Sequence, residues 1–140
     1  MSVDRPGSPN IDRDSVAADV HTVLLAEDEE VLREIAAIKL RSAGHVVLEA
    51  SSTGAALEAV SRTGRPIDVL VTDVMLPEIG GVLLFEQLHR SYPEMKAVFI
   101  SGHSIDVIFE NAPLPSGAAF LEKPYDSSTL LATVAELLHG

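Results

Sequence analysis

Five residues of this chain belong to types that do chemistry, and each closes or directly follows a short apolar run. Glu27 and Asp28 come after Val23-Leu24-Leu25-Ala26, and Asp73 after Val69-Leu70-Val71-Thr72. Ser101 follows Ala97-Val98-Phe99-Ile100, and Lys123 follows Ala118-Ala119-Phe120-Leu121-Glu122. Runs this short and this aliphatic read as buried parallel strands rather than helices. In a parallel sheet such ends share one edge, where open α/β sheets carry their chemistry. Three carboxylates, a hydroxyl and an ammonium are therefore expected in one shallow cleft. Like charges about 4 Å apart repel by about 4 kcal/mol at an effective dielectric near 20. At least one carboxylate pKa should therefore rise. A hard divalent cation relieves the conflict, and Mg2+ takes one or two carboxylates while leaving positions open to water and phosphate. With an ammonium opposite, the cluster suits delivery of a phosphoryl group to a carboxylate. Asp73, central and less committed to the cation than the acidic pair, is the better-placed nucleophile. Taken singly, Asp73 would read as a turn cap and Ser101 as a strand-end cap; the agreement of four strand ends argues for chemistry.

The elements that position these residues follow from periodicity. Between the first two strands, apolar residues at Val31, Leu32, Ile35, Ala36 and Ile38 form a helical stripe, with Gly44 as its C-terminal stop. Val46-Val47-Leu48 is the second strand, and Ser52 or Thr53 caps a helix through Ala55, Ala56, Leu57, Ala59 and Val60, with Gly64 beyond its end. The central strand to Asp73 is followed by a loop containing Pro77, Gly80 and Gly81, then a helix over Val82, Leu83, Leu84, Phe85 and Leu88 that stops near Pro93. After Ser101-Gly102 comes a weak helical stretch at Ile105, Val107, Ile108 and Phe109, which Pro113 and Pro115 must end. Asp126 or Ser127 caps a last helix with Leu130, Leu131, Val134, Leu137 and Leu138 on its apolar side. Five strands alternating with five helices give βαβ units, a parallel sheet and a three-layer α/β sandwich. The expected strand order is the flavodoxin-like 2-1-3-4-5.

Bulk properties bound the function. The chain has 140 residues, enough for one domain with a sizeable core. Residues 1–20 carry Pro, Gly, Ser and alternating charges with little apolar period and are expected to form a flexible tail or linker; residues 21–140 form the domain. The formal net charge of −11 argues against non-specific binding to nucleic acid and suits a protein that holds a cation or meets a basic partner. No apolar run is long enough to span a bilayer, and the first residues lack the charged-then-apolar pattern expected of a signal peptide. The absence of cysteine excludes disulfides and thiolate metal sites, and fits a cytoplasmic setting.

Over about residues 22–139 the chain resembles the receiver domain of two-component response regulators. The resemblance is carried by Glu27-Asp28 after Val-Leu-Leu-Ala, by Asp73 in Asp-Val-Met-Leu-Pro-Glu-Ile-Gly-Gly, by Ser101 after Ala-Val-Phe-Ile, and by Lys123-Pro124. It implies that Asp73 accepts a phosphoryl group from a histidine kinase or histidine phosphotransfer protein. Asp28 would bind Mg2+ directly and Glu27 through water, with Asp73 and the Met75 carbonyl completing the metal shell. Lys123 would pair with a phosphoryl oxygen, and its peptide bond to Pro124 is expected to be cis. Ser101 and Phe120 occupy the switch positions: Ser101 would move toward the phosphoryl group and Phe120 would turn into the vacated space, altering a surface read by a downstream protein. Met75 and His103, two residues beyond Asp73 and Ser101, flank the approach of a hydrolytic water and are expected to tune dephosphorylation, Met75 toward slowness. The domain is not expected to be an enzyme beyond acting on its own phosphoryl group.

Competing readings have identifiable weaknesses. A flavin-binding domain needs Ser, Thr and Gly donors after the first strand, where Glu27-Asp28 would repel a phosphate. An aspartyl-phosphate phosphatase wants a second acid two residues after its nucleophile, and that position holds Met75. A pseudo-receiver, an interaction module without phosphorylation, would not need Asp73, Lys123 and the acidic pair together. The five histidines show no metal-ligand spacing. Because the sequence ends just after the fifth helix, output is expected through protein contact by a stand-alone receiver, or through relay within a longer protein.

Overall fold

A computed structural model describes residues 20–110 and 113–139, and the expected tail lies almost wholly outside them. Strands β1 (Thr22–Ala26), β2 (Val46–Ala50), β3 (Val69–Asp73), β4 (Lys96–Ser101) and β5 (Ala118–Glu122) alternate with five helices. These are α1 (Glu30–Ser42), α2 (Thr53–Thr63), α3 (Gly81–Ser91), α4 (Ile105–Ile108) and α5 (Ser127–His139). The strands form one parallel sheet in the order β2-β1-β3-β4-β5, as expected. Register pairs Val23 with Val69, Asp73 with Ile100 and Ser101 with Glu122, which brings the strand ends level at one edge.

Alternation along each strand builds two cores. Leu24, Leu70, Ala97 and Phe99 point to one face, where α2 and α3 contribute Ala56, Leu84, Phe85 and Leu88. Val23, Leu25, Val71, Val98 and Ile100 point to the other, against Ala36, Ala37 and Leu40 of α1 and Leu130 and Val134 of α5. Because both faces are covered, β1 and β3 are buried at every position, which is why they read as continuous apolar runs.

Local signals act where the sequence places them. Ser52 accepts a hydrogen bond from the Ala55 N–H at 3.1 Å and caps α2, and Gly64 ends it in the left-handed region at φ 67°. The stripe expected on α1 is shifted, however. Its buried face is Ala36, Ala37 and Leu40, whereas Val31, Ile35 and Ile38 are 67%, 45% and 62% exposed. Small alanines let the helix settle close on the sheet, and the larger aliphatics face outward. Helix α4 is a single turn, and every residue of β5 from Ala118 to Leu121 is only half-buried. One turn of helix covers the sheet beside β5 less completely than three turns cover its centre.

Candidate functional site

All five chemistry-bearing residues meet at the carboxyl edge of the sheet. Asp73 ends β3, and its side chain is 7% exposed. Val74 N–H donates to the Ile100 carbonyl at 2.8 Å, and Gly81 N–H donates to the Val74 carbonyl at 2.9 Å, so the backbone beyond Asp73 is held from both sides. A Cβ at Gly81 would run into the Asp73 carbonyl oxygen and the Thr72 side chain. Gly81 is therefore required by close approach, whereas Gly80 sits at φ 88°. Across the loop, Glu78 takes a left-handed φ of 86°, rare for a residue with a side chain. Its carboxylate accepts from Gly54 N–H at 2.6 Å and Thr53 Oγ1 at 3.0 Å, at the positive end of α2. The loop after the central acid is thus pinned to a neighbouring helix.

Glu27 is buried, and its carboxylate accepts from Glu29 N–H at 2.9 Å while Arg33 Nη1 donates to its carbonyl at 2.9 Å. Exposed Asp28 follows it, and carboxylate oxygens of Glu27, Asp28 and Asp73 all lie within 4.8 Å of one another. Lys123 arrives from the end of β5, with a cis peptide bond to Pro124 as expected. Its Nζ lies 3.1 Å from Asp73 Oδ1, 3.4 Å from Glu27 Oε1 and 3.4 Å from Glu29 Oε2. The contact to Glu29 is a hydrogen bond from Nζ, and those to Asp73 and Glu27 are ion pairs. Asp73 Oδ1 is buried and accepts no hydrogen bond from the protein.

The electrostatics follow from crowding. Burial first, then the adjacent Glu27 carboxylate, push the Asp73 pKa up to about 8, with Lys123 opposing. Burial alone would lower the Lys123 pKa, but Asp73, Glu27 and Glu29 outweigh it and the net direction is upward. An orphaned buried carboxylate oxygen beside two further carboxylates is the donor set that a hard, oxygen-seeking divalent cation fits. A cavity of about 250 Å3 opens here, lined by Asp28, Asp73, Met75, Ser101, His103 and Lys123. Met75 is 73% exposed and stands at the mouth with His103. Buried Ser101 Oγ accepts from His103 N–H at 3.0 Å, which leaves its own hydroxyl proton free to donate. Phe120 lies below this edge, half-buried, its ring 6.2 Å from that of Phe109. The structure thus brings together Glu27, Asp28, Asp73, Met75, Ser101, His103 and Lys123, and keeps Phe120 behind them.

The sequence reading missed Glu29, a third acid that holds Lys123, and Arg33, which braces Glu27. Their only signal was proximity to the acidic pair. Three of the histidines, His21, His45 and His139, gather at the opposite end of the sheet. There burial, with His21 and His139 nearby, lowers the His45 pKa. Among the described residues, the one cluster with metal-binding spacing is Glu27, Asp28 and Asp73.

Comparison with known proteins agrees with the geometry. The family described as "response regulator receiver domain" matches residues 23–135. The sensor kinase CckA of Brucella abortus is 38% identical over 117 residues, 84% of this chain but 12% of the kinase. The transcriptional regulatory protein FixJ of Azorhizobium caulinodans is 36% identical over 118 residues, 82% of this chain and 52% of the regulator. The chain therefore spans about an eighth of one relative and half of the other. Among solved structures, a response regulator receiver protein from Sinorhizobium medicae superposes with a TM-score of 0.77 at 31% identity, covering 88% of this chain and 98% of that one. The receiver domain of the hybrid histidine kinase CckA gives 0.70 at 33% identity, covering 84% and 98%.

Proposed function

The chain belongs to the response-regulator receiver family, and from that premise we propose that it accepts a phosphoryl group on Asp73 from a phosphohistidine donor. The observation that carries this reading is the orphaned, buried Asp73 Oδ1 set between an acidic pair and Lys123.

Asp28 and Asp73, with Glu27 through water and the Met75 carbonyl, are the groups we assign to Mg2+. Bound there, Mg2+ supplies charge neutralisation for the phosphoryl oxygens. Asp73 Oδ attacks phosphorus as the phosphorus–nitrogen bond to the donor imidazole breaks. The imidazole leaves with that electron pair and takes a proton, and Asp73 becomes an acyl phosphate. Lys123 moves onto a phosphoryl oxygen, and Ser101, whose hydroxyl proton is free, donates to another. Met75 and His103 at the mouth govern how water reaches the product, and exposed Met75 offers that water no strong hydrogen bond.

The donor is a histidine kinase or histidine phosphotransfer protein. An apolar groove of about 360 Å3 between α1 and Pro124-Tyr125 shares Glu29 and Lys123 with the site and gives a donor helix a place to rest. Phosphorylation converts a monoanion into a group with three strong acceptor oxygens. Drawing Ser101 toward it changes the packing that Phe120 meets, and the surface around α4, β5 and α5 passes the change to a downstream protein. No helix among the described residues is long and apolar enough to cross a membrane.

The test is intact mass after incubation with Mg2+ and acetyl phosphate, wild type beside Asp73→Asn. A gain of one phosphoryl group that needs Mg2+ and is absent from the variant is expected. No gain under conditions where Mg2+ binds would overturn the reading.

A further inference from the structure

We infer that Glu29 is a positioning residue that competes with Asp73 for the Lys123 ammonium, and so sets how readily the acceptor takes a phosphoryl group. The inference rests on the phosphoacceptor reading above. Glu29 is the N-cap residue of α1, in extended conformation at φ −82° and ψ 112°. Its side chain makes no capping hydrogen bond. It turns instead to Lys123, whose Nζ donates to Glu29 Oε2 at 3.4 Å.

That choice has a consequence for the nucleophile. Lys123 also forms an ion pair with Asp73 Oδ1, at 3.1 Å, and so stands between the two carboxylates. The ammonium is therefore shared between an exposed carboxylate and the buried acceptor. The contact is long for a hydrogen bond, and the Glu29 side chain is 61% exposed, so it is weak and exchangeable. Phosphoryl oxygens are better acceptors and draw Lys123 toward themselves, and the Glu29 contact opposes that movement.

The test uses three proteins: wild type, Glu29→Ala, which removes both contact and charge, and Glu29→Asp, which keeps the charge but is one methylene too short. The chain has only three lysines, Lys39, Lys96 and Lys123, so the Lys123 side-chain nitrogen can be followed by NMR in lysine-labelled protein. Both variants are expected to shift that resonance without Mg2+ present. Both should also speed phosphorylation by acetyl phosphate at saturating Mg2+ by about two- to fivefold, the worth of an exposed ion pair. Acceleration in Glu29→Ala alone, with Glu29→Asp behaving as wild type, would mean a field effect on an anionic donor and would overturn the inference. So would a Lys123 resonance that is the same in all three proteins. A wild type that takes no phosphoryl group would sink the phosphoacceptor reading separately, with the Lys123 resonance still deciding whether Glu29 holds the ammonium.

Discussion

Phe109 stacks edge-on against Phe120, with ring centroids 6.2 Å apart and planes at 86°. Phe109 also lies 5.9 Å from Phe99, which lies 5.7 Å from Phe85. All four phenylalanines of the chain thus form one ladder from α3 through β4 to the end of α4 and β5. The single turn of α4 is followed at once by a ring wedged against the proposed switch residue. Removing either Phe109 or Phe120 by alanine substitution should destabilise the domain by about 1–2 kcal/mol, below the usual range for fully buried Phe because both are half-buried. A urea-denaturation cycle with both singles and the double should give a coupling of about 0.5–1.5 kcal/mol. Additive losses would mean that the two rings do not act together.

Stability should fall as pH rises in the absence of Mg2+, as far as Asp73 determines it. Its pKa is about 8 in the folded protein against an unfolded value of 3.8. Between those values the folded state binds the extra proton, so the free energy of unfolding declines as pH rises across that window. Asp73→Asn removes this titrating group and its buried charge. The variant should melt about 2–6 °C above wild type at pH 8 and close to it at pH 5, by thermal scans in chelator. An equal shift at both pH values would contradict the raised pKa.

Mg2+ should act as a folding ligand. At ten times its dissociation constant it should add about 1.4 kcal/mol to stability, since it binds the folded carboxylate cluster and not the unfolded chain. Asp28→Asn should reduce the shift strongly at the same concentration, because it removes an exposed carboxylate within 4.8 Å of the other two. Thermal melts over a Mg2+ titration check this, with Ca2+ and monovalent salt as controls for general screening.

Gly81→Ala should be among the more damaging single-methyl additions to this chain. The new Cβ would meet a backbone carbonyl that cannot swing aside, and Thr72 Oγ1 already donates to that carbonyl at 2.9 Å. A loss of about 1–3 kcal/mol is expected from overpacking, with weaker Mg2+ binding as Asp73 shifts. Gly44→Ala is the control: open space surrounds Gly44, and only its φ of 99° opposes a side chain.

The strand ends were legible because parallel strands buried on both faces leave an unmistakable apolar run, and the residue that closes each run falls at one edge. Asp73 and the acidic pair could be read from that rule, Lys123 from the half-buried run of β5, and the layered sandwich from the alternation of elements. The strand order came instead from the flavodoxin-like precedent for five such units. Glu29 could not, because an exposed acid at a helix start is usually just a solvated charge. Its partner lies 94 positions away, and only pairing through β1, β3, β4 and β5 brings them together. The phase of α1 was misjudged for a related reason. Ala36 and Ala37 are weak hydrophobic signals beside Val31 and Ile38, yet close packing against the sheet selects the small residues for burial. Gly81 was legible as a loop glycine, but its real constraint is a close approach that appears only when the loop folds back on Asp73.

The sequence distance between Glu29 and Lys123 also bears on when the site comes into being. Contacts of such high contact order form late, after the intervening loops have been closed. Until β5 has joined the sheet, Asp73 lacks the Lys123 ammonium, whatever β1 and β3 have achieved. A chain emerging half-folded therefore offers a donor an acceptor without its fixed ammonium. On the proposed phosphoacceptor reading, full competence is in this sense a certificate of completed folding, issued only when the last strand is in register.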